Sequence, residues 1–196
     1  MNLIIAPHLD DETLGCYSQT KDSFILVICE GFNKKDKQRI KTFTNNYKNN
    51  KILKYRDCEL TEKDIKDIAE EIAELVHGLK PTRVLIPCEF DLHQDHQIVS
   101  KACKVALKRT LKYTEEVLEY KVQGNYQFRE VYFDTIKNLN NDEIYNKISI
   151  LKQYITQKFD LANLPNDESF RTIFRRMWTA IGLKDNSFYL QLNIKL

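Results

Sequence analysis

Three short runs of nearly unbroken apolar residues, Asn2–Ala6, Ser23–Cys29 and residues 83–88, constrain the fold of this chain more than any other feature. Runs that are apolar throughout, and not at alternate positions, fit strands covered on both faces, as in a parallel sheet between helices. Helical signals separate them. Residues 12–20 leave room for about two turns. Thr61 and Asp64 form a capping-box start, after which Ile65, Ile68, Ile72, Leu75, Val76 and Leu79 recur at helical spacing until Pro81 closes the stretch. Residues 98–113 make a further amphipathic helix. The alternation predicts an α/β fold: a doubly wound, Rossmann-like three-layer sandwich with a mainly parallel sheet. The 196 residues read as a single domain, 1–196.

Beyond residue 120 the pattern predicts a strand over 128–135 and a helix over 142–158, with Ile144, Ile148, Leu151 and Ile155 on one face. A helix over 168–181, stopped at Gly182, would pack Phe170, Ile173, Phe174, Met177, Trp178 and Ile181 into the core. A last strand spans 188–194. The charged run 34–39 and the Asn-rich stretch 45–50 read as exposed loops.

Thirty basic against 28 acidic residues leave a net charge of +2. That balance argues against nucleic acid or a membrane surface as the main partner. The five cysteines, Cys16, Cys29, Cys58, Cys88 and Cys103, are odd in number and lack a CxxC pair, which predicts free thiols and no disulfide framework. No signal peptide precedes the first strand, and no apolar run approaches the roughly 18 residues of a membrane span, so the expected location is cytoplasmic.

Two polar clusters carry the chemistry. His8-Leu9-Asp10-Asp11-Glu12 follows the first strand, and Asp91-Leu92-His93-Gln94-Asp95-His96 follows the strand ending near Cys88. In open parallel sheets ligands bind beyond the carboxyl ends of strands, where both clusters fall. A catalytic zinc takes about three ligands from His and Asp or Glu and keeps one position open. His8 and Asp11, three apart, can turn to one side of a strand-to-helix turn while Asp10 projects differently. One of His93 and His96 completes a His/Asp/His set, and the other remains for proton transfer. Glu12 reads as support for a helix start through the macrodipole. His77, ahead of Gly78, reads as a C-terminal helix residue and not a ligand.

The residues Ala6-Pro7-His8-Leu9-Asp10-Asp11-Glu12-Thr13-Leu14-Gly15-Cys16, with His93-Gln94-Asp95-His96 near mid-chain, resemble the PIG-L/LmbE-like zinc-dependent N-deacetylases. The resemblance implies one Zn²⁺ held by His8, Asp11 and His96. It implies Asp10 as general base towards a zinc-activated water, and His93 as oxyanion stabiliser or acid to the leaving amine. Asp95 would orient His93, and Arg39 and Asp57 would bind substrate. The implied reaction removes an acetyl group from an N-acetylglucosamine-type sugar or glycoconjugate. The sequence departs from the family pattern at Leu9, usually Pro, at Tyr17-Ser18, usually Gly-Gly, and at Thr42, where Arg-x-x-Glu loses its Glu. Other readings of the clusters are a metal-dependent phosphoesterase, a nucleotide-binding α/β domain without metal, and a non-catalytic sugar-binding member of the same family. Two-metal phosphoesterases draw on more carboxylates, and the turn after the first strand has no Gly-rich phosphate cradle.

Overall fold

The structure, a computed structural model, describes residues 1–32, 36–122, 132–155, 157, 159–161 and 164–176. Among the described residues seven strands form one sheet in the order β3-β2-β1-β4-β5-β7-β6. They are β1 (Asn2–Ala6), β2 (Ser23–Cys29), β3 (Asn50–Tyr55), β4 (Arg83–Pro87), β5 (Glu116–Tyr120), β6 (Thr135–Asn138) and β7 (Asp167–Arg175). The first five run parallel. β7 lies antiparallel between β5 and β6. Helices α1 (Asp11–Cys16), α2 (Asp36–Asn46), α3 (Ile65–Leu79), α4 (Gln94–Thr110) and α5 (Asn141–Leu151) cover the sheet. The predicted α/β class, mostly parallel and with helices around the sheet, is the one observed.

Alternate strand residues feed two separate cores, which is why these strands are apolar along their whole length. Leu3, Ile5, Leu26, Ile28, Val84 and Ile86 pack against Ile68, Ile72 and Val76 of α3 and Val99, Ala102 and Ala106 of α4. On the opposite face Ile4, Ala6, Ile25, Val27 and Leu85 meet Leu14 of α1, Phe43 of α2 and Leu151 of α5. The capping box of Thr61 and Asp64 is present ahead of α3. That helix runs through Gly78 to a left-handed cap at Lys80 (φ 47°), and His77 in its last turn stands edge-on to Tyr113.

Several expectations are corrected. Residues 168–175, expected as helix, belong to β7. Val117 pairs with Phe174 and Leu118 with Thr172, so Ile173 is an extra residue, a bulge, on β7. The bulge sends Phe170 and Phe174 into different cores. Apolar residues at 170, 173 and 174 thereby imitate helical spacing. The charged run expected as loop opens α2 from Asp36, and the Asn-rich stretch is loop only over residues 47–49, with Asn45 and Asn46 ending α2 and Asn50 starting β3. The helix expected over 142–158 spans Asn141–Leu151 and starts at a capping box of Asn140 and Glu143. Of the strand expected over 128–135, residues 128–131 lie outside the described residues and only Thr135 is in β6. Met177, Trp178, Ile181, Gly182 and the strand expected over 188–194 also lie outside them. All five cysteines are free, and four are buried, Cys58 being exposed. Among the described residues no helix is long and apolar enough to cross a membrane.

Gly15 shows how tightly α1 is seated. A β-carbon there would lie 2.5 Å from Tyr120 Cδ2 and 2.9 Å from the Lys121 carbonyl oxygen. Tyr120 is fixed in turn, its hydroxyl donating to the Ile5 carbonyl at 2.8 Å. Gly15→Ala therefore forces α1 off the sheet. Despite alanine's better helix propensity, it is expected to cost about 1–3 kcal/mol, read by chemical denaturation; unchanged stability would contradict this packing.

Candidate metal and catalytic site

The chain runs outwards from β1 through β2 to β3, then returns to place β4 on the other side of β1. The strand order thus reverses between β1 and β4, and at such switch points the connections diverge and leave a crevice at the carboxyl ends. His8, Asp10 and Asp11 sit on the turn from β1 into α1. Asp91, His93, Asp95 and His96 sit on the passage from β4 into α4. The two clusters expected to meet do meet.

Three atoms converge. His8 Nδ1 lies 3.2 Å from Asp11 Oδ2, His96 Nε2 lies 3.2 Å from the same oxygen, and the two nitrogens are 3.2 Å apart. Ligands at zinc distances of roughly 2.0–2.1 Å in a tetrahedron are about 3.3 Å from one another. The triangle therefore has the dimensions of one face of such a tetrahedron. The His8 backbone N–H also donates to Asp11 Oδ2 at 2.8 Å, which locks the turn.

Behind each histidine stands a carboxylate. His8 Nε2 is 2.9 Å from Asp95 Oδ2, and His96 Nδ1 is 2.8 Å from Asp91 Oδ2. Ionised carboxylates only accept, so the N–H of each neutral ring points outwards and its lone pair points into the triangle. Three converging lone pairs repel unless a cation, either protons or a metal ion, sits among them. The surrounding charges pull the same way. Burial alone would lower His96, yet Asp11 and Asp91 lift it to about 9. Burial likewise opposes the rise of His8, and its bonds to Asp11 and Asp95 more than offset it. Burial would raise Asp11, but His96 and His8 hold it far below the usual carboxylate range. Among the described residues His8, His93 and His96 also place ring nitrogens close enough together to hold a metal ion, as do the ligand atoms of His8, Cys29 and Asp95.

Asp10 points elsewhere. Buried beside the triangle, its Oδ2 lies 3.4 Å from Arg39 Nη2. Burial and the neighbouring Asp11 charge raise its pKa to about 6, against the lowering effects of Arg39 and His8. Arg39, on α2, also donates from Nη1 to Asp57 Oδ2 at 2.9 Å. Arg39 and Asp57, expected at the substrate, are both buried and turn their charges on one another and on Asp10. Arg39→Met would leave two buried acids without their cation. It is expected to destabilise the protein by about 3–5 kcal/mol, read by denaturant titration; a change below ~1 kcal/mol would contradict the pairing.

His93 caps α4. Its Nδ1 accepts the Asp95 backbone N–H at 3.2 Å, so the neutral ring carries its proton on Nε2. Burial and the charges of His8 and His96 lower its pKa, as suits a neutral ring at a helix N-terminus. Asp95, expected to orient His93, meets that ring through its backbone N–H. The Asp95 carboxylate engages His8 Nε2 and accepts backbone N–H bonds from Cys58 at 2.6 Å and Leu60 at 3.3 Å. Glu12, expected as helix support in an acidic first turn, is fully buried, bonded to Thr13 Oγ1 at 2.7 Å, and burial pushes its pKa up to about 8. Asp91 was given no role by the sequence; its place five residues before His96 in the same cluster is the only signal that marks it.

The fold and the histidine–acid cluster define an α/β protein with a buried site compatible with a metal ion. The family model described as GlcNAc-PI de-N-acetylase, PIG-L, matches residues 29–107, a span that contains the second cluster. No curated protein matches the sequence. Among solved structures, N,N'-diacetylchitobiose deacetylase from Pyrococcus horikoshii is 16% identical with a TM-score of 0.66, over 87% of this chain and 82% of that one. The zinc-inhibited form of a teicoplanin deacetylase is 14% identical with a TM-score of 0.65, over 80% of this chain and 84% of that one. The 4-carboxy-2-hydroxymuconate hydratase of Pseudomonas putida is 14% identical with a TM-score of 0.63, over 91% and 98% of the two chains. At these identities the likeness is one of fold. The resemblance to PIG-L/LmbE-type deacetylases is thus supported by the family model as well as by the two motifs. The hydratase shows that the fold also serves other chemistry, so function has to be argued from the site.

Proposed function

We propose that this chain is a metal-dependent amide hydrolase that removes an N-acetyl group from an N-acetylated amino sugar or glycoconjugate. The observation that carries the reading is the 3.2 Å triangle of His8 Nδ1, Asp11 Oδ2 and His96 Nε2. Its two imidazoles and one carboxylate are a donor set suited to zinc, with one side of the tetrahedron left for substrate. When bound there, a zinc ion polarises a carbonyl and brings the pKa of a water towards about 7.

The chain's own residues do the rest. Asp10, held beside the triangle and kept from further rise in pKa by Arg39, takes the proton of the attacking water. His93 offers a neutral Nε2–H towards the charge that develops on the carbonyl oxygen, a donor already oriented by its cap on α4. The leaving nitrogen needs a proton, and Asp10 has one to return once it has acted as base. Arg39 and Asp57 serve the base by position, paired with one another and, through Arg39, with Asp10.

The test compares metal-stripped protein with protein reloaded with one equivalent of zinc. Acetate release is followed over free N-acetylglucosamine, N,N'-diacetylchitobiose and N-acetylglucosamine linked to inositol. Release from at least one, restored by zinc, is the expected result. Zinc uptake without acetate from any of them would overturn the acetyl-sugar reading.

A further inference from the structure

We propose that Asp91 is a positioning residue that sets His96 for metal and ties that setting to the turn carrying His93. The inference rests on the metal-binding reading of His8, Asp11 and His96 above. Asp91 is 1% exposed, and its two carboxylate oxygens are divided between two tasks. Oδ2 lies 2.8 Å from His96 Nδ1. Oδ1 accepts the His93 backbone N–H at 2.8 Å.

The first bond selects a tautomer. With the carboxylate accepting at Nδ1, the ring proton of neutral His96 is fixed there, and the Nε2 lone pair faces His8 Nδ1 and Asp11 Oδ2. The other tautomer would place an N–H at Nε2 and leave no donor atom for metal. The second bond holds the start of α4, the turn from which His93 projects. Asp91 itself is anchored: Gln97 Nε2 donates to its carbonyl at 2.7 Å, and its own N–H reaches the Cys88 carbonyl at 3.3 Å. One buried carboxylate therefore fixes both the direction of a ligand and the register of the residue three places before it. Carboxylates behind ligating histidines act in this way generally, and their loss weakens metal binding about 10- to 100-fold.

Asp91→Asn tests the assignment, because an amide has one oxygen where the carboxylate has two and can keep only one of the bonds. The expected result is a zinc affinity weakened by about 10- to 100-fold in chelator competition, with the metal-free variant folded by circular dichroism. A merely structural role would lower the melting temperature of the metal-free protein and leave zinc affinity within about twofold, and that result would overturn the proposal. A second measurement needs no variant: imidazole ¹⁵N shifts of the metal-free wild type should show His96 protonated at Nδ1 whenever it is neutral. An Nε2–H tautomer would overturn the proposal even if Asp91→Asn failed to fold. If the wild type takes up no zinc, the reading of the triangle fails instead, and the two failures are told apart.

Discussion

His96→Ala is expected to lose both bound metal and turnover. Its Nε2 is one of three atoms that converge at 3.2 Å. His93, the nearest imidazole with its centroid 4.9 Å away, is committed through Nδ1 to the cap of α4. Two ligands, His8 and Asp11, would remain, on a turn that the substitution does not touch. Loss of a direct ligand should exceed the about 10- to 100-fold cost of losing an outer carboxylate, so dialysed protein should contain almost no zinc. Acetate release should fall to background. The substitution also leaves Asp91 and Asp11 short of a buried partner, so circular dichroism has to accompany the metal analysis. A folded variant retaining a full equivalent of zinc would remove His96 from the ligand set.

Asp10→Asn is expected to separate metal binding from chemistry. The amide keeps the size of the carboxylate and can still accept from Arg39, but it cannot take a proton. Metal content should stay at the wild-type level while kcat drops by about 10²- to 10⁴-fold, the usual contribution of one general base. The neighbouring Asp11→Asn should do the opposite and lose metal first, since Asp11 Oδ2 is a corner of the triangle. Two adjacent acids with opposite signatures are a sharp consequence of the turn after β1, which sends one carboxylate into the triangle and the other towards α2. Normal turnover in Asp10→Asn would sink its assignment as base.

How much of this was legible in the sequence follows from which signals local chemistry can carry. β1, β2 and β4 were legible because burial on both faces leaves unbroken apolar runs. α3 was legible because it combines a capping box with a single apolar face. The meeting of the two clusters was legible through topology, since strands on either side of an order reversal open their ends to one crevice. β5 was not, because Glu116 and Glu119 interrupt it. Both acids are buried and paired across the sheet, Glu116 with Arg83 at 2.6 Å and Glu119 with Arg171 at 2.8 Å, and those partners lie far away in sequence. β7 was hidden by its bulge. The helix carrying Arg39 was hidden because its apolar face is thin: Phe43 and the partly buried Ile40 meet the core, and the buried Arg39 beside them is held by ion pairs with Asp10 and Asp57. Asp95 was placed beside His93, which its backbone N–H does meet, but the partner of its carboxylate was not legible, because the acid reaches across 87 positions to His8.

The most direct test of the account is a crystal of the zinc-loaded protein measured on both sides of the zinc absorption edge. One anomalous peak per chain is expected, about 2.0–2.2 Å from His8 Nδ1, Asp11 Oδ2 and His96 Nε2 together. A peak held by other side chains, or two peaks bridged by carboxylates, would contradict it.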